Sequence, residues 1–105
     1  MDKELRKTVK KRYKLAYKLK KHGYNYKAYE LYKQCYIYYS CFAGDTIADF
    51  LKSLKCQKQM AIVTKDDELM EVYRITLNNF LKDILGNKKS ITNAIQTLII
   101  LSLTS

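Results

Sequence analysis

Apolar residues recur through the first segment of the chain with the period of an α-helix. On a wheel of about 100° per residue, Leu5, Val9, Tyr13, Ala16 and Leu19 share one face. Lys3, Lys7, Lys10, Lys11, Lys14, Lys18 and Lys21 share the opposite one. The pattern predicts a basic helix over about 2–22, closed by Gly23, which can take the left-handed conformation that ends helices. A tyrosine-rich helix follows over about 25–42, with Ala28, Leu31, Tyr32, Cys35, Tyr39 and Phe42 inward and Tyr29 and Tyr36 at the edge of that stripe.

Gly44-Asp45 reads as a break followed by a cap for a third helix, about 46–61, which would bury Ile47, Phe50, Leu51, Leu54 and Ala61 and turn Cys56 outward. Thr64 and Asp67 have the spacing of a capping box, with Asp in place of Glu. The helix they would open spans about 65–85, with Leu69, Tyr73, Leu77, Phe80 and Ile84 inward and Gly86 at its end. A last helix, about 90–103, would start at Ser90 and carry Ile91, Ala94, Ile95 and Leu98 before becoming apolar nearly all round. No period-two alternation competes with these assignments. Short connections favour antiparallel neighbours, so the expected fold is all-α. It is a compact single-domain bundle of four to five helices over 1–105, the first two forming an antiparallel hairpin.

Composition agrees. Proline is absent and only three glycines occur, which removes the strongest helix breakers from most of the chain. The formal net charge of +10 changes the picture more, because of where it lies. Residues 1–33 hold twelve Lys/Arg against three acids, whereas the remaining 72 hold eight against seven. Such asymmetry points to a polyanion, an anionic membrane surface or an acidic protein partner. Three cysteines with no C-x-x-C pair, and a start without an apolar h-region, lead to the expectation of a reducing, cytoplasmic setting. The longest apolar run, 98–101, is too short for a membrane span. The Lys-, Tyr-, Ile- and Asn-rich composition also fits an AT-rich coding sequence, such as a phage or plasmid carries.

Residues 12–40 resemble a single tetratricopeptide hairpin, with Leu15, Ala16, Leu19, Gly23, Ala28, Tyr32 and Cys35 at that motif's large and small positions. The stretch AYELYKQCYIYY at 28–39 is similar to the second helix of microtubule-interacting-and-transport domains. Arg12 stands where the repeat favours Trp, Asn25 where both families favour an aromatic, and Ser40 where proline is usual; no second copy follows. What the resemblance implies is a helical hairpin.

The lysine face is the strongest functional feature. Seven ammonium groups extend over roughly 30 Å of helix at 1.5 Å rise per residue. Lysine is a point charge without a bidentate fork, so such a face contacts phosphate backbone rather than base edges. The expected function is that of a small nucleic-acid-binding accessory or regulatory protein gripping phosphate through Lys3, Lys7, Lys10, Lys11, Lys14, Lys18 and Lys21. Ten tyrosines, seven of them between Tyr24 and Tyr39, suggest the alternative of a protein-interaction module, an inhibitor, adaptor or immunity-type protein. Tyr17, Tyr29 and Tyr36 are the surface candidates for it. Ile99, Ile100 and Leu103 exceed what one small bundle can bury, so a homodimer through the last helix is expected. His22 reads as a partner of a helix dipole, and Cys35 and Cys41 lie some 120° apart on a helix, which gives zinc no site. Without a catalytic triad pattern or a phosphate-binding glycine loop, neither enzyme activity nor a cofactor is expected.

Overall fold

The computed structural model describes residues 3–42 and 46–85. Four helices account for nearly all of them: α1 (Lys3–Lys21), α2 (Asn25–Ile37), α3 (Ile47–Thr64) and α4 (Asp67–Leu85). The all-α class and the packed α1–α2 hairpin are as the periodicity predicts. The Gly44-Asp45 break, the stop at Gly86 and the last helix with its dimer residues Ile99, Ile100 and Leu103 lie outside the described residues.

Each turn has a local cause. Gly23 adopts φ +83°. Its N–H bonds to the Lys20 carbonyl at 3.1 Å while the Tyr24 N–H reaches Leu19 at 2.9 Å, the paired bonds of a Schellman stop. The end of α3 repeats this geometry without glycine. Lys65 sits at φ 53°, its N–H bonds to Ile62 at 3.2 Å, and the Asp66 N–H bonds to Ala61 at 3.2 Å. A side chain in the left-handed region costs about 1–2 kcal/mol, partly offset by the chain entropy that glycine would lose. Lys65→Gly is therefore expected to raise stability by about 0.5–1 kcal/mol, seen as a higher denaturant midpoint at unchanged m.

The predicted Thr64–Asp67 box does not form. Thr64 remains inside α3 and its hydroxyl donates back to the Met60 carbonyl at 2.7 Å. Asp66 opens α4 instead, its Oδ1 accepting from the N–H groups of Glu68 and Leu69 at 2.9 and 3.3 Å. At the start of α3 the cap is Thr46 rather than the expected Asp45: Thr46 Oγ1 accepts from the Asp49 N–H at 3.1 Å, while the Asp49 carboxylate is taken by Arg6.

Beyond Ile37 the second helix widens into a π turn, Tyr38–Phe42. Here two consecutive tyrosines, Tyr38 and Tyr39, are both buried and meet edge to face at 5.2 Å. Ser40 Oγ donates to the Tyr36 carbonyl at 2.7 Å within the same turn.

Helix α2 packs against both α1 and α3, and α4 packs on α3. Side-chain pairs fix the direction: Arg6 meets Asp49 and Lys20 meets Gln59, so α1 and α3 run parallel with α2 antiparallel to both. One core cluster contains Val9, Cys35, Tyr38, Tyr39 and Cys56; a second contains Ala16, Ala28, Tyr32 and Val63. Ala16 and Ala28, both fully buried, let α1 and α2 approach closely. Phe50 and Phe80, with ring centroids 4.9 Å apart, tie α3 to α4.

Three burial expectations are corrected. Cys56 is 0% exposed, because α3 is covered from more than one side and has no single apolar stripe. Leu5 is 42% exposed: the row of α1 turned to the bundle is Arg6, Val9, Tyr13, Ala16 and Lys20, with Arg6 taking the inward place in the first turn. Ile47 is 53% exposed at the first residue of α3, where the Thr46–Asp49 cap sets the helix start.

Candidate nucleic-acid interface

All seven lysines of the predicted face, Lys3, Lys7, Lys10, Lys11, Lys14, Lys18 and Lys21, are exposed. Their neighbours do little to neutralise them. Lys7 lies 4.0 Å from Glu4 in an exposed pair, a contact worth at most a fraction of a kcal/mol. Lys21 Nζ sits 5.1 Å from the centre of the Tyr17 ring, which attracts the ammonium group but leaves its charge in place.

Two of the seven do more than face solvent. Lys10 and Lys14 line a cleft of about 190 Å³ together with Lys52 and Lys55 of α3, over Tyr13 and Tyr39. The fold creates this cleft. Helices α1 and α3 rest side by side on α2, so a groove runs between them with α2 and its π turn beneath. One turn before the lysines, the bidentate Arg6–Asp49 pair, at 3.0 and 3.2 Å, joins the two walls. Further along, Lys20 Nζ donates to Gln59 Oε1 at 2.7 Å and joins them again.

The electrostatics of the cleft follow from this arrangement. Burial, with the positive charge of Lys10 beside it, holds the Lys52 ammonium below its ordinary pKa. Its Nζ lies 5.5 Å from the centre of the Tyr39 ring, which fixes it at the wall. Asp49 is the acid nearest Lys52 on the same helix, and the hydrogen bonds from the Arg6 guanidinium hold that carboxylate below its usual pKa against the effect of burial. Burial pushes the Tyr39 hydroxyl up to about 12 and raises Tyr13 as well, so both stay protonated through the neutral range. The groove is therefore lined by neutral aromatic residues and four lysines, with the Lys52 ammonium set over the Tyr39 ring.

Lys52 and Lys55 belong to a row of α3 lysines at a spacing of three, with Lys58, and only the parallel placement of α3 beside α1 brings the first two to Lys10 and Lys14. The tyrosine candidates divide. Tyr17 is exposed, whereas Tyr29 and Tyr36 are half-buried and pack against the two core clusters. The freely presented tyrosines are instead Tyr24 and Tyr26, at and just after the α1–α2 turn, the latter 76% exposed. Lys27 Nζ lies 6.0 Å from the Tyr24 ring.

Among the described residues, no group of three or more His, Cys, Asp or Glu side chains could hold a metal ion. No helix among them is long and apolar enough to cross a membrane. No family model, curated protein or solved structure matches this chain.

Proposed function

We propose that this is a small nucleic-acid-binding accessory or regulatory protein that grips phosphate backbone through the lysine face of α1, extended by Lys52 and Lys55 of α3. The observation that supports the reading most is the exposure of seven lysines along one helix, with two more brought alongside from a second. A surface so built gains affinity from counterion release and reads backbone charge, not sequence. Its test is fluorescence anisotropy with labelled double-stranded DNA, single-stranded DNA and RNA near physiological salt, each competed with heparin. Binding that persists near physiological salt, with unlabelled duplex a better competitor than heparin of equal charge, is the expected result. Binding displaced equally by heparin at every salt concentration would reduce the charge to a nonspecific property.

A second reading, an acidic protein partner, is favoured by one feature. Tyr17, Tyr24 and Tyr26 are exposed beside Lys21 and Lys27, which suits a contact surface of aromatic and cationic groups. Tyr24→Ala and Tyr26→Ala discriminate the readings better than changes at Tyr29 or Tyr36, whose loss would also disturb the core.

A further inference from the structure

We propose that the cleft between α1 and α3 is a discrete subsite for a terminal phosphate, the phosphomonoester of a nucleotide or of a nucleic-acid end, held by Lys10, Lys14, Lys52 and Lys55. The inference deepens the polyanion reading and rests on it. A backbone phosphodiester carries one negative charge, and the outward lysines of α1, spread along the helix, match a row of such charges. The cleft has a different geometry. Four lysines from two helices line a single volume of about 190 Å³. A terminal phosphate brings about −1.5 to −2 charge and three strong acceptor oxygens to one point, and so answers several of these groups at once.

The walls are fixed in advance. Arg6–Asp49 and Lys20–Gln59 join α1 to α3 on either side of the cleft, and the Tyr39 ring holds the Lys52 ammonium. With Asp49 committed to Arg6, its carboxylate does not compete for the cleft lysines. The half-buried Tyr13 adds aromatic surface to the lining, which suits the sugar that carries a terminal phosphate better than a hydrated inorganic ion.

The test compares one short duplex bearing either a 5′-phosphate or a 5′-hydroxyl, with adenosine monophosphate and inorganic phosphate as competitors. The wild-type protein is expected to prefer the phosphorylated end by about tenfold or more, the scale of a few charge-assisted hydrogen bonds. The double variant Lys52→Gln/Lys55→Gln should bind the two duplexes equally: losing two charges from the backbone surface lowers both affinities alike, whereas losing the subsite removes the preference itself. Competition by adenosine monophosphate at concentrations where inorganic phosphate has no effect would place a free nucleotide in the cleft too, in support of the subsite. Equal binding of the two duplexes by the wild-type protein overturns the subsite and leaves the backbone reading intact. Failure to bind either duplex overturns both. If the double variant does not fold, the wild-type comparison decides alone.

Discussion

Glutamate in place of Lys7, Lys10, Lys11, Lys14 and Lys18 is expected to weaken binding to a short DNA duplex by about three orders of magnitude near physiological salt. Each exchange replaces a positive charge with a negative one, a change of two units, so the five together bring the formal net charge from +10 to zero. Loss of roughly five phosphate contacts forfeits the release of as many condensed counterions, which sets that scale. The variant should still fold. All five positions are exposed, and Glu and Lys have nearly the same helix propensity. Two of the new carboxylates, at positions 10 and 14, would face Lys52 and Lys55 across the cleft and relieve repulsion there. Unchanged helicity with lost binding is the expected pair of results. Full binding by this variant would transfer the function to another surface, with Tyr17, Tyr24 and Tyr26 the next to test.

The largest stability effect is expected at Arg6, whose guanidinium makes two hydrogen bonds to a carboxylate only 3% exposed. Arg6→Ala leaves the Asp49 charge buried without its partner. Removing one member of a buried pair typically costs 3–5 kcal/mol, and since Arg6 is itself partly solvated the loss here should be about 2–3 kcal/mol. Its pH dependence separates this cause from lost packing. In the wild-type protein Asp49 has a lowered folded pKa. Its contribution is therefore complete above the unfolded value of about 3.9 and fades as pH falls through the lower folded one. In the variant, burial without the arginine raises that pKa instead, so the destabilisation is greatest near neutral pH and narrows on acidification, when Asp49 is protonated. Chemical denaturation across pH 3–7 distinguishes the two. A deficit independent of pH would assign the loss to the packing of the arginine stem.

Much of this structure is legible in the sequence because single helices write their faces at a 3.6-residue period. The lysine stripe of α1, the Gly23 stop and the α1–α2 hairpin all follow from local pattern. What escapes is whatever needs the third helix in place. The burial of Asp49 and Gln59 has no local signal, because their partners, Arg6 and Lys20, arrive from more than thirty-five positions away. Cys56 looks outward on a one-face helix and is buried on a helix covered from several sides. Lys52 and Lys55 recur with Lys58 at a spacing of three, a local pattern that says nothing of Lys10 and Lys14, so their membership of the cleft depends on α1 and α3 lying parallel. One missed feature did have a local signal. Thr46 and Asp49 carry the same T-x-x-D spacing as Thr64 and Asp67, and only Thr46 caps a helix, because Asp66 takes that place at the start of α4.

The central claim, that the lysine surface of α1 and α3 binds phosphate backbone, is tested most directly by the salt dependence of duplex affinity. For a surface engaging roughly five phosphates, log K should fall against log salt with a slope of about −4 to −5. The five-glutamate variant should bind too weakly to give a slope at all. A wild-type slope near −1, or a slope that the variant retains, would contradict the account.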